Sequence, residues 1–268
     1  MSRSIESLRL DIDEAMLEGE YVRAVRLARE GVRRQPDAES WYLLGVALLD
    51  SGEPDAAIES LQRATELDPQ HTDAFVALAE EAVARLAFAE ARMLLSEALR
   101  VDPVHAAARR LRAALREREG DHDGAARDYL SASLSDPEAY PMPVELDDDT
   151  LESITESVLR SLHPSLRAYL ANVPILVEES PELFVLDELP DAHPFELLGC
   201  FTGRTLAEPA GADAWSALPP TITLYRRNLA RLVGDREELE RELRITLLHE
   251  IGHYLGLDEE DLAERGLD

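Results

Sequence analysis

Through the first half of the chain, apolar and small residues return in one phase. Trp41, Leu44, Gly45, Leu48, Ala57, Leu61 and Ala64 are followed 34 positions later by Phe75, Leu78, Ala79, Ala82, Ala91, Leu95 and Ala98. Prolines mark the same period at Pro36, Pro69, Pro103 and Pro137, spaced 33, 34 and 34 residues apart. Counting back from each proline gives four units: Ile5–Pro36, Ala38–Pro69, Thr72–Pro103 and Ala106–Pro137. The period and the helical spacing inside each unit predict a pair of antiparallel helices per unit, stacked to share a core. The proline ends the second helix of each pair. Gly19, Gly52 and Gly120 share the turn position between the paired helices; the third unit has Leu86 there, which predicts a different turn. The first unit keeps only Leu8, Ala15, Ala24 and Pro36, as a terminal cap does. The fourth keeps Ala113, Ala125, Tyr129 and Ala132 but has Arg109 and Arg112 where large apolar residues belong.

The pattern then changes. Residues 139–149 hold two prolines and an acidic run and read as a linker. Leu151, Ile154, Val158, Leu159 and Leu162 fall at helical spacing, with Thr150 placed to cap them. A short helix near Pro164–Ala171 follows. Val173–Val177 reads as a strand, with Pro174 at an edge or at its start. The acidic, proline-bearing stretch Glu178–Pro194 reads as a loop. Glu196–Gly203 reads as a second strand, Arg204–Leu218 as another loop, and Pro220–Tyr225 as a third strand with alternating apolar and polar positions. Leu239, Leu243, Leu247 and Leu248 predict a strong helix from Asp235 onward, and Gly256 is suited to end it in a left-handed conformation. These elements divide the chain into a repeat domain over 1–138, a linker over 139–149 and a compact domain over 150–268.

Composition narrows the class. The formal net charge is −28, and all 27 basic residues are arginine. Such acidity argues against nucleic acid or an anionic membrane as a partner, and its first meaning is solubility. No apolar run reaches the 18 or more residues of a membrane span. The N-terminal ten residues lack the layout of a signal peptide. Cys200 is the only cysteine, so a reducing cytoplasm is the simplest location.

The chemistry concentrates in His249-Glu250-Ile251-Gly252-His253. On a helix the two histidines lie one turn apart on one face and can grip a single Zn²⁺. Glu250 follows the first of them, so its carboxylate can take a proton from water at such a centre. The five-residue motif is short, but its helix, the stop glycine and the acidic run Asp258–Asp261 come in the order a metal site needs. His71, His105 and His122 read as surface residues, and His193 as a loop residue. Cys200 reads as core, because no base flanks it. Tyr225, Tyr254 and Arg226 are further groups able to polarise a carbonyl.

Two resemblances follow from these residues. The second unit, with Trp41, Leu44, Gly45, Leu48, Ala57, Leu61, Ala64 and Pro69, resembles the tetratricopeptide repeat. From about Leu151 to Leu267 the chain is similar to the small zincin-like metallopeptidase family of bacteria. The landmarks are Val177-Glu178-Glu179, Leu197–Gly203, Ile222–Arg226 and His249–Gly256. The fold class is therefore α+β overall: an N-terminal all-α tetratricopeptide-like solenoid, then a small α+β zincin-like domain. The resemblance implies a zinc metallopeptidase with Zn²⁺ held by His249, His253 and a third ligand three residues after the glycine. That position is Glu259, with Asp258 as the alternative. It also implies an edge strand that holds peptide, for which Leu198–Gly203 is the candidate. The expected partners are a peptide or protein substrate and a protein on the repeat surface. The alternative is a non-catalytic interaction scaffold with a vestigial or structural zincin domain.

Overall fold

The computed structural model describes residues 4–190, 192–205 and 218–264, the side chains of Ser165, Tyr169 and Glu259 excepted. It divides into two compact units, Met1–Tyr140 and Pro141–Asp268.

The first unit is all helical: α1 (Ile5–Leu17), α2 (Tyr21–Arg34), α3 (Ala38–Asp50), α4 (Pro54–Leu67), α5 (Thr72–Ala84), α6 (Phe88–Val101), α7 (Ala106–Arg118) and α8 (His122–Ser135). The small residues do what the period requires. A methyl on Gly45 would lie 2.5 Å from Leu61 Cγ, so only glycine lets α3 and α4 approach this closely. All four turns between paired helices close with the same backbone bond. It runs from Glu20 to Ala15, Glu53 to Leu48, Ala87 to Ala82 and Asp121 to Arg116, each 2.8 Å. That bond needs a left-handed residue, and Leu86 takes it at φ +60° beside Gly19, Gly52 and Gly120. The third turn therefore does not differ, contrary to expectation. The packing of the pair imposes a conformation that costs a residue with a Cβ roughly 1–2 kcal/mol.

Two other features depart from the sequence reading. His71 and His105 are helix caps rather than free surface residues. Each Nδ1 accepts a backbone N–H three residues on, at 3.3 Å. That leaves the proton on Nε2, which faces the carboxylate of Glu39 (3.3 Å) or Asp73 (3.0 Å) on the preceding unit. Arg109 and Arg112 sit at apolar positions because α8 supplies a buried carboxylate. Asp128, 1% exposed, accepts from Arg109, Arg112 and Arg116 at 2.7–2.8 Å. Burial pushes the Asp128 carboxyl up, but the three guanidiniums together outweigh it and hold it below the ordinary value.

The second unit contains α9 (Asp148–Ser161), α10 (Pro164–Leu170), β1 (Ile175–Glu178), α11 (Leu183–Glu188), β2 (Gly199–Thr202), β3 (Thr221–Tyr225), α12 (Arg226–Leu232), α13 (Arg236–Leu255) and α14 (Glu259–Ala263). The sheet order is β1-β3-β2. β1 runs parallel to β3 with Val177 opposite Leu224, and β2 runs antiparallel with Gly199 opposite Leu224. Leu239, Leu243, Leu247 and Ile251 of α13 are buried in one core with Ile222, Leu224, Leu151 and Val158. Each such side chain contributes roughly 1.5–3 kcal/mol. Among the described residues no helix is long and apolar enough to cross a membrane.

Glu178–Pro194 is not all loop: α11 buries Val185 and Leu186. The second strand starts at Gly199 rather than Glu196, and residues 206–217 of the expected Arg204–Leu218 loop lie outside the described residues. Asp147, not Thr150, caps α9, its Oδ1 accepting the Thr150 N–H at 2.7 Å. Part of the segment read as a linker packs on the second unit. Val144 N–H donates to the Ala230 carbonyl (2.9 Å), Leu146 joins the core, and the Leu146 carbonyl accepts from Arg226 (3.2 Å). A fragment 141–268 should therefore melt cooperatively. Its truncation to 150–268, which removes Leu146 and both bonds, should cost about 2–5 kcal/mol in chemical denaturation. Equal stability of the two fragments would show that the segment is only a tether.

Candidate metal centre

The centre is built on the last turns of α13. Asp235 caps the helix at its start, Oδ1 accepting from Glu238 N–H at 2.9 Å. Gly256, at φ +88°, ends it, and Leu257 N–H then donates to the Gly252 carbonyl at 3.1 Å. On this helix His249 and His253 meet edge to face, ring centroids 4.5 Å apart, with their Nε2 atoms 2.9 Å from each other. His253 Nδ1 lies 3.3 Å from the Leu257 carbonyl. A carbonyl only accepts, so Nδ1 carries the proton and Nε2 presents its lone pair. The chain reversal at Gly256 thus supplies the group that sets the tautomer of His253.

Glu250 is on the sheet side of the helix and only 6% exposed. Its position depends on Gly199 of β2. A methyl at Gly199 would lie 2.9 Å from Thr246 Cγ2 and 3.2 Å from Glu250 Cγ. Between the strap before β2 and the outer face of α13 runs a cleft of about 240 Å³. Leu197, Leu198 and Gly199 form one side, and Ile245, Thr246, His249 and Glu250 the other.

The chain after the helix is held in place. Leu262 of α14 is fully buried against Gly252, where any Cβ would collide with its Cδ2. Asp258 caps α14, its Oδ1 accepting from Asp261 N–H at 2.9 Å. Glu259 is the first residue of α14, and its side chain lies outside what the structure describes. Among the described residues, no three His, Cys, Asp or Glu side chains converge as a metal cage. The structure thus brings together His249, His253 and Glu250.

The other residues singled out earlier stand apart. His193 packs edge-on to Phe195, and burial pushes its pKa down. Cys200 is buried, and burial, with the nearby Glu250 carboxylate, pushes its thiol up to about 12. It is therefore core and not a nucleophile. Tyr225 is buried, Tyr254 packs on Phe201 with centroids 5.6 Å apart, and Arg226 pairs with Asp148 and Glu179. None of these three lines the cleft.

Two residues that sequence reading missed hold the cleft wall. Asn228 and Arg231, both buried, lie on α12. Asn228 Nδ2 donates to the carbonyls of Pro194 (3.1 Å) and Leu197 (2.6 Å). Arg231 donates to the Phe195 carbonyl (3.4 Å) and to Asn228 Oδ1, and covers the Phe195 ring at 5.3 Å. The strap 194–198 has no strand partner of its own over these residues, so α12 satisfies its carbonyls. The only sequence signal was an asparagine inside an otherwise arginine and apolar run.

Comparison with known families agrees with this architecture. Tetratricopeptide repeat models match residues 13–72 and 48–115, and a zincin-like metallopeptidase model matches residues 170–267. The chain joins tetratricopeptide repeats to a zincin-like domain. Solved structures similar to it include YrrB, described as a tetratricopeptide protein with an unusual peptide-binding site. That match has 20% identity over 50% of this chain and 70% of that one, TM-score 0.41. Another is MamA, at 22% identity over 60% of this chain and 88% of that one, TM-score 0.41. No curated protein matches the chain.

Asn228→Ala leaves the Pro194 and Leu197 carbonyls without their donor in a buried setting. It should cost about 2–4 kcal/mol and raise amide exchange across 194–199 well above that of α13. Unchanged exchange in that strap would remove the role assigned to α12.

Proposed function

We propose that the second unit is a zinc-dependent peptidase and that the repeats recruit a protein partner or the substrate, in the cytoplasm. The observation that carries this is the convergence of the His249 and His253 Nε2 atoms with the Glu250 carboxylate buried beside them at the cleft. Two nitrogens each 2.0–2.1 Å from one tetrahedral ion lie about 3.3 Å apart, so a 2.9 Å separation needs only a small adjustment. The donor set, two imidazoles and a carboxylate, suits Zn²⁺.

His249, His253 and Glu259 would hold the ion. Asp258 already accepts a backbone N–H as a helix cap, which favours Glu259 as the free carboxylate. Zn²⁺ in such a site supplies a Lewis acid and lowers the pKa of water toward about 7. Glu250 takes the proton from the attacking water and delivers it to the leaving amide nitrogen. β2, at one edge of the sheet, offers its backbone N–H and C=O groups to an extended peptide. Asn228 and Arg231 keep the adjoining strap in register with that edge.

Protein purified without a histidine tag should carry close to one zinc per chain by elemental analysis, and His249→Ala/His253→Ala should carry none. Glu250→Gln should keep the metal and lose cleavage of a peptide library by at least about a hundredfold. Metal retained in the double variant overturns the site. Activity retained in Glu250→Gln overturns the mechanism, and no cleavage by the wild type favours the scaffold reading.

The third ligand is separately testable by competition with a chromogenic chelator. Glu259→Gln should weaken zinc affinity by at least about a hundredfold, while Asp258→Asn should weaken it far less and mainly loosen α14. The reverse order would transfer the role to Asp258.

A further inference from the structure

We propose that the cleft beside Glu250 is a subsite for a lysine or arginine side chain of the bound peptide, with Glu242 as its specificity residue. This rests on the peptidase reading of the same site. The cleft holds about 240 Å³, below the roughly 300–1,000 Å³ of pockets that enclose a whole small ligand, so it suits one side chain. Its sides are apolar, formed by Leu197 and Leu198 of the strap and Ile245 of α13. Its remaining lining includes Glu196 and Glu242, and no lysine or arginine.

That combination matches a long cationic side chain, whose methylene stem packs on apolar surface while its head meets carboxylates. Glu242 is the informative group. It is half-buried, and its carboxylate makes no ion pair or hydrogen bond among the described residues. The Thr246 hydroxyl, one turn on, donates instead to the Glu242 backbone carbonyl at 2.9 Å. Glu196, with 80% of its side chain exposed and His193 3.8 Å away, stands at the strap side. An apolar occupant would cover Glu242 without satisfying it, which is unfavourable. An acidic occupant would meet Glu196, Glu242 and Glu250 together. A cation alone satisfies the walls and the charges.

The test uses full-length Glu250→Gln protein loaded with zinc and fluorescent octapeptides that differ at one position. Anisotropy titrations should show the Arg and Lys peptides binding about tenfold or more tightly than the Leu, Ala or Glu peptides, with the gap narrowing at high salt. Adding Glu242→Gln should erase most of that preference, and Glu242→Lys should shift it toward the Glu peptide. Leu or Glu peptides binding best, a preference unaltered by Glu242→Gln, or no peptide binding at all would overturn the proposal. The wild type separates the two readings. Cleavage of these peptides without basic preference removes the subsite and leaves the peptidase. Basic preference in binding with no cleavage removes the peptidase and leaves a cleft that binds cationic side chains.

Discussion

The second unit depends on how closely α13 can lie on the sheet. The contact point is Gly199, where even a methyl group would press on Thr246 and Glu250 at 2.9 and 3.2 Å. Residues spaced four apart drift around a helix of 3.6 residues per turn, so Leu239, Leu243, Leu247 and Ile251 wind slowly along the core face. Glu250 precedes the last of them and falls at the border between that face and the cleft. A carboxylate in so buried a position is costly, and the apolar stripe offsets that cost. The same close approach makes the cleft, because the strap entering β2 forms its other wall. Core packing and site geometry are thus one contact seen from two sides.

The repeat unit solves a different problem, the burial of charge. Asp128 has three guanidiniums around it, and a single carboxylate cannot neutralise all three. Such a cluster stabilises little more than an apolar triplet of similar volume would, though losing the aspartate alone leaves three arginines without their anchor. Its place in the fourth unit gives it a purpose. The last of the four units carries polar residues at positions that the second and third fill with Trp41, Leu44, Phe75 and Leu78. Partly exposed arginines there end the repeating apolar pattern without exposing an unpartnered apolar face.

What the sequence revealed followed range and repetition. A 34-residue period repeated four times leaves little freedom, so the repeat helices were legible, and so was α13 from its leucines. Leu86 was misread because the turn is imposed by the paired helices on either side, and a leucine in the glycine position does not announce that it will obey. His71 and His105 were misread for a related reason. A histidine capping a helix depends on a carboxylate about 32 residues earlier, which only the stack brings near. α12 was missed because its seven residues bury Asn228 and Arg231, polar groups whose partners are carbonyls more than 30 residues away. Of the site, His249, Glu250 and Gly256 were legible in one short motif. The wall that faces them was not, since Glu196–Gly199 meets α13 only through the sheet.

The acidity of the chain reads differently once the cleft is known. A net charge of −28 attracts cations everywhere and so selects nothing by itself. At physiological ionic strength the screening length is about 8 Å, so carboxylates on distant helices contribute little at the cleft. Discrimination there must come from charges that a ligand would desolvate. Glu242 meets that requirement because it is half-buried beside Ile245 and Leu198, where water is displaced as the cleft fills. Glu238 and Glu240, on the same helix, are spent on Arg241 and Arg236 near the solvent. One helix therefore carries two kinds of acid: those paired for solubility along its first turns, and those left open where the strap covers it.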